Sequence, residues 1–172
     1  MPTRIYKDRV EIEETAPYIQ LKETTTNTIV QIKNVAGKLA TDDGSGNKVI
    51  SFNCAGPQME TKTVAADSTG VKASSAKFKL NTKYLKSLLL RASVSSIPSD
   101  ATVRVEVYDA TSGTVLGYVE FAGATGEKSA EITSGYSDGD LIQIRINVTV
   151  ASATAGSTAT VDYAIVELNY EI

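Results

Sequence analysis

Strict alternation of apolar and polar residues is the feature that most limits the fold of this chain, and it is clearest from Leu141 to Val150. One side of this segment is apolar and the other polar: Ile142, Ile144, Ile146, Val148 and Val150 alternate with Gln143, Arg145, Asn147 and Thr149. A period of two is typical of a β-strand that packs one face against a core. The sequence therefore predicts a strand here.

The same alternation recurs through the second half of the chain. Apolar rows are formed by Leu88, Leu90, Ala92 and Val94, and then by Val103, Val105 and Val107. Residues 81–90 are also compatible with a helix, but the period of two that continues through Val94 favours a strand. The run Asp109–Gly113 predicts a hairpin turn into a strand at Val115–Phe121. Short strands separated by regular turns indicate an antiparallel β-sandwich or jelly roll over residues 57–172.

The last predicted strand, Ala159–Ile172, is apolar on both faces. Simple alternation places Val161, Tyr163 and Ile165 on one face and Ala164, Val166, Leu168 and Tyr170 on the other. A strand that is apolar on both faces is normally buried on both. We expect one face to contact another copy of the chain, through either Tyr163 with Ile165 or Val166 with Leu168.

Residues 16–56 predict a separate small β module of four short strands. Its alternating apolar positions are Ile19, Leu21, Val30, Ile32, Ile50 and Phe52. A module of ~40 residues rarely folds alone without disulfides, metal or association. Cys54 is the single cysteine, so no intrachain disulfide is possible. We therefore expect the apolar positions of this module to contact other chains.

Residues 1–15 are interpreted as a charged N-terminal arm. Its Arg9–Glu13 stretch alternates briefly and is expected to form a strand only by adding to some other sheet. The alternative for this arm is a frayed terminus.

Composition narrows the classes of function. Hydrophobic residues make up 42% of the 172 residues and charged residues 22%, which indicates a globular chain. A net charge of −3 predicts no general attraction to nucleic acid or to a membrane. No apolar run approaches the ~18 residues that a membrane-spanning helix needs. The charged N-terminus gives no classical secretion signal.

The absence of histidine excludes Ser–His and Cys–His nucleophile pairs and histidine metal ligands. The remaining close carboxylates are Asp42 with Asp43 and Asp138 with Asp140, and all four lie in predicted turns. Aspartate in a turn usually accepts local backbone hydrogen bonds. We therefore expect no enzyme activity, no metal site and no cofactor. The alternative is a calcium ion held by Asp42, Asp43 and Asn47, but turn chemistry is favoured because Gly44 occupies a ligand position of the EF-hand pattern.

A lysine-rich stretch without acidic residues runs from Val71 to Arg91. Its candidate contacts for an anion or a cell-surface glycan are Lys72, Lys77, Lys79 and Lys83. The alternative is a solvated sheet face whose lysines discourage pairing at an edge. The alternative is favoured because Tyr84 is the one aromatic residue interleaved on the predicted exposed side.

Each half carries residues that form a recognisable pattern. In the small module they are Pro17, Ile19, Leu21, Glu23, Thr24, Ile32, Asn34, Gly37, Leu39, Asp43, Val49, Ile50 and Phe52. In the second half they are residues 139–146 (GDLIQIRI) and the terminal residues 169–172 (NYEI). Through these residues both halves resemble fibre and spike proteins of tailed phages and other viruses, in which trimeric jelly rolls follow such small modules. One departure is Val148–Thr149–Val150, which replaces the usual acidic residue.

The resemblance implies a homotrimeric structural component of a virion surface, as a fibre, a spike or a capsid-decoration protein. It also implies contacts of the arm with other virion proteins and of the trimer with a host receptor or glycan. The residues by themselves leave a second hypothesis open, a non-viral trimeric adhesion or carbohydrate-binding sandwich at a cell surface or outside the cell.

Overall fold

The computed structural model describes residues 3–5, 10–12, 18–22, 29–35, 38–42, 47–49, 51–152 and 154–171, and it describes side chains from Asn53 onward. The chain divides into two compact units, Met1–Phe52 with Glu171–Ile172, and Asn53–Tyr170. Every regular element among the described residues is a β-strand. The predicted all-β class is confirmed.

The described residues of the first unit form two small antiparallel sheets. β1 (Thr3–Ile5) pairs with β2 (Val10–Ile12). The other sheet has four strands in chain order, namely β3 (Tyr18–Lys22), β4 (Ile29–Val35), β5 (Lys38–Asp42) and β6 (Asn47–Val49). Its register pairs Ile19 with Ile32 and Leu21 with Val30.

Two expectations for this part of the chain need correction. The segment around Val10 does not need another sheet, because a four-residue connection lets it fold back on Thr3–Ile5 as a hairpin. The fourth strand of the module ends at Val49, and Phe52 belongs to the next strand, β7 (Ser51–Met59).

The predicted chain–chain contacts of the module stay a prediction. They concern Ile19, Leu21, Val30, Ile32, Ile50 and Phe52, whose side chains lie outside the described part of the structure.

The second unit is built from antiparallel strands of 2 to 14 residues. After β7 these are β8 (Lys62–Ala65), β9 (Gly70–Ser74), β10 (Phe78–Lys79), β11 (Leu85–Ser96), β12 (Ala101–Asp109), β13 (Thr114–Ala122), β14 (Gly126–Ile132), β15 (Leu141–Val150) and β16 (Thr158–Glu171). One sheet, here the β12 sheet, has the order β10–β15–β12–β13, with β9 also paired to β15. The other, the β16 sheet, has the order β14–β11–β16–β7, with β8 also paired to β16.

The strand pairs show how the chain is wound. From the ends of the unit inward, β8 pairs with β16, β9 and β10 with β15, β11 with β14, and β12 with β13. Successive pairs fall in alternate sheets, so the chain is a long two-stranded ribbon rolled around one core. The pairs of β11 with β16 and of β12 with β15 then complete the two sheets. This order is that of a jelly roll, as the sequence predicts.

Facing rows of the two sheets form the core. The residues of the rows predicted on β11, β12 and β15 are buried except Val150, which is half-buried at the end of β15. The buried ones are Leu88, Leu90, Ala92, Val94, Val103, Val105, Val107, Ile142, Ile144, Ile146 and Val148. Phe121 of β13 and Leu168 of β16 pack in the same cluster. Alternation therefore predicted both the strands and their inner faces, and residues 85–90 form a strand rather than a helix.

The last strand departs from simple alternation at Asp162. Val94 pairs with Val161 and Ser93 with Tyr163, so Asp162 is an extra residue in a β-bulge. The bulge turns Val161 into the core together with Ala164. The prediction that Val161 shares a face with Tyr163 is therefore wrong.

Candidate functional site

The outer face of the β16 sheet carries a row of half-buried apolar side chains. Tyr163 and Ile165 of β16 lie there beside Leu89 of β11, whereas Val166 and Leu168 are buried in the core. Of the two pairs proposed for contact with another chain, only Tyr163 with Ile165 is thus placed on the outside of this unit. The contact itself stays a prediction.

Polar groups around this row are arranged by the register of three strands. Arg91 Nε donates to Glu167 Oε1 at 3.1 Å. Asp162, projected by the bulge, accepts hydrogen bonds from Ser93 and Ser95. Burial, followed by a hydrogen bond with Glu127 across β11, raises the pKa of Tyr163. The phenol is therefore neutral and anchored at physiological pH.

A cavity of about 210 Å³ opens beside the same row. Its lining residues are Gln58, Met59, Glu60, Tyr163, Ala164 and Ile165. Sites for drug-sized ligands are usually larger, at ~300–1,000 Å³. The space suits an inserted side chain better than a cofactor.

The outer face of the β12 sheet holds a buried charge. Glu106 is 2% exposed although it points away from the core. It accepts hydrogen bonds from Arg145 Nη2 at 2.9 Å and from Asn147 Nδ2 at 3.2 Å. The Arg145 guanidinium lies 3.5 Å from the centroid of the Tyr108 ring. Neighbouring side chains cover this charge network, and Arg145 Nε within it is buried with no hydrogen-bond partner among the described residues.

A second arginine–tyrosine pair stands next to this network, and we call the combined surface the tyrosine–arginine face. Arg104 Nη2 donates to Glu120 Oε2 at 2.6 Å, a hydrogen bond that raises the pKa of Arg104. The same guanidinium lies 4.1 Å from the Tyr118 ring centroid. Tyr118 itself is exposed, and other large exposed apolar side chains border the face: Val71, Val115 and Leu141. Tyrosine and arginine are enriched where proteins bind partners.

Sequence reasoning did not select the tyrosine–arginine face. Its residues occupy the polar positions of β12, β13 and β15, which alternation assigns only to an outer surface. The signal was present in the residue types, since arginine, glutamate and tyrosine repeat at every second position in residues 104–108. Which residues lie next to them depends on the register between the strands. That register pairs Glu106 with both Arg145 and Tyr118.

The lysines singled out from the sequence lie along one edge of the β12 sheet. Lys72 is in β9, Lys79 is in β10, and Lys77 precedes Phe78. Lys83 follows in the loop, 5.1 Å from the Tyr84 ring centroid. Both β9 and β10 pair with β15 on the side away from β12. We call this row the lysine edge.

The close aspartates of the second unit serve the backbone. Asp138 accepts a hydrogen bond from the Thr82 amide at 2.9 Å, and Asp140 accepts one from the Ser137 amide at 2.6 Å. The turn that contains Asp43 lies outside the described residues, and Asp42 ends β5. Within the described residues, no group of three or more cysteine or carboxylate side chains is arranged to hold a metal ion. The described residues also contain no helix long and apolar enough to cross a membrane.

Comparisons with known proteins give structural neighbours only. No family model matches the chain, and no curated protein matches it. Among solved structures, FlhE matches 74% of this chain and all of its own, with 11% identity and a TM-score of 0.27. The VP2 subviral particle of infectious bursal disease virus matches 85% of this chain and 43% of its own, with 12% identity and a TM-score of 0.34. Likeness at this level is compatible with an all-β fold and carries no argument about function.

Proposed function

We propose that the protein is a homotrimeric, non-enzymatic structural component of a virion surface, such as a fibre, a spike or a capsid-decoration protein. The observation that carries the proposal is the half-buried apolar row of Leu89, Tyr163 and Ile165 on the outside of a jelly roll whose own core is already complete. The small four-stranded module before the jelly roll and the resemblance to viral fibre proteins support the same proposal.

Self-association explains this row in physical terms. A sandwich strand needs one apolar face for its own core, and β16 already provides Val161, Ala164, Val166 and Leu168 to it. A second apolar row is stabilised if another chain covers it, at roughly 1.5–3 kcal/mol for each large side chain buried. The row would therefore form part of the interface between the chains.

Light scattering coupled to size exclusion tests the proposal on the full chain. We expect a particle of three 18.2 kDa chains at micromolar concentration. Ile165→Asp should dissociate it, because an unpaired carboxylate would be buried in the interface. The control Thr158→Asp, at an exposed position of the same strand, should stay trimeric. A wild-type monomer would contradict the proposal.

The tyrosine–arginine face favours a second candidate, an adhesion module that binds carbohydrate. Tyr118 is 46% exposed and its ring is held by Arg104, which leaves an ordered aromatic surface for a sugar ring. Binding of the full chain to a glycan array tests this candidate. Tyr118→Ala should abolish such binding, while the control Tyr84→Asn, which removes an exposed ring outside this face, should retain it. An array on which the wild-type chain binds nothing rejects the candidate.

A further inference from the structure

The outer face of the β16 sheet combines its apolar row with acidic side chains. Register places Leu89 between Glu131 of β14 and Glu167 of β16, and it places Glu127 opposite Ser93. Glu127 and Glu131 are both exposed, and neither forms an ion pair with a described residue, while Glu127 is hydrogen-bonded with Tyr163. We call this surface the acidic face.

The lysine edge has the opposite charge and its own apolar side chains. Lys77, Lys79 and Lys83 are exposed, and none of these three lysines forms an ion pair with a described residue. Val71 and Leu141, with exposed fractions of 48% and 36%, lie along this edge. The edge is therefore both basic and partly apolar.

We propose that the lysine edge of one copy docks on the acidic face of the next copy. This inference rests on the proposed homotrimer. A closed ring of three chains requires a heterologous contact, in which two different patches of each chain meet. The lysine edge and the acidic face are two such patches with complementary charge.

The chemistry of lysine suits this contact. The alkyl stems of Lys77 and Lys79 can cover Leu89 and Ile165 while their ammonium groups reach the carboxylates at the rim. Two acidic faces brought together would place like charges side by side, which costs several kcal/mol. The charges therefore select the head-to-tail arrangement over a symmetric dimer.

Charge reversal on each patch, followed by their combination, tests the contact in the full chain. Lys77→Glu with Lys79→Glu should raise the apparent dissociation constant of the trimer at least ~100-fold, and Glu127→Lys with Glu131→Lys should do the same. The chain with all four substitutions has complementary patches again and should recover the trimer. Ser99→Glu with Ser152→Glu adds two carboxylates in exposed loops and should leave the assembly unchanged.

The outcomes separate this inference from the proposed function. A wild-type chain that is monomeric rejects both the contact and the proposed function. A trimer that either double reversal leaves intact keeps the proposed function and rejects the contact. If each double reversal dissociates the trimer but the fourfold variant does not recover it, the two patches do not contact each other. This outcome also rejects the contact. Circular dichroism of every variant should show the wild-type β-sheet spectrum.

Discussion

At the scale of single residues, the two arginine–glutamate pairs of the tyrosine–arginine face differ in burial. The Arg145 and Glu106 side chains are 18% and 2% exposed, whereas Arg104 and Glu120 are both 40% exposed. Solvent screens the second pair, so it contributes little to stability. The first pair is shielded, and removing one partner leaves the other charge without compensation.

Glu106→Ala should therefore destabilise the protein by roughly 3 kcal/mol, the scale expected for breaking a buried ion pair. The matched variant Glu120→Ala should cost less than about 1 kcal/mol, because it removes an exposed partner. Urea denaturation at one fixed protein concentration measures both. An equal decrease in the free energy of unfolding of the two variants would show that burial does not make the Arg145–Glu106 pair more important for stability than the Arg104–Glu120 pair.

At the scale of elements, the two sheets approach closely where β13 faces β14. A Cβ atom on Gly117 would lie 2.6 Å from Ile132 Cγ1 and 2.7 Å from its Cδ1. No side chain fits at this position unless Ile132 moves. The absence of a side chain at Gly117 therefore allows β13 to lie this close to Ile132, the last residue of β14. Ile132 covers this part of the core, and it is itself only 6% exposed to solvent.

Gly117→Ala should lower the free energy of unfolding by about 1–3 kcal/mol, the usual cost of overpacking a core. Ile132→Val removes Cδ1, so it should cost less in the Gly117→Ala background than in the wild type. Thermal and urea unfolding of the four chains in this cycle give the coupling between the two positions. Strict additivity would mean that the two side chains do not compete for the same space.

At the scale of the whole molecule, the two units differ in what holds them together. The described core cluster runs from Met59 to Leu168, entirely within the second unit. A domain of that length buries enough apolar surface to fold alone, whereas a segment of ~50 residues is marginal without association. The first unit is therefore expected to depend on contacts with other chains.

Separate expression of the two units checks this expectation. Residues 53–172 should unfold cooperatively on heating, whereas residues 1–52 should show no cooperative transition as a monomer. Circular dichroism and size exclusion at micromolar concentration measure both fragments. A folded monomer of residues 1–52 would remove the main reason for expecting the first module to contact other chains.

Local pattern was enough to predict most of the strands. The predicted strand from Leu141 to Val150 has the observed bounds, and the hairpin turn at Asp109–Gly113 is confirmed by the pairing of Asp109 with Thr114. Short strands with little alternation escaped prediction: β1, β8 and β9. Alternation identifies a strand only when several successive residues repeat it.

The sequence by itself determined the all-β class, the inner faces of β11, β12 and β15, and the absence of histidine chemistry, because side-chain period and residue type are local properties. Only the tertiary structure decided the bulge at Asp162, which reassigned Val161 to the core, and the contact between Glu106 and Arg145, which are 39 residues apart. Both depend on register between strands that are distant in sequence, and a shift of one residue would exchange their faces.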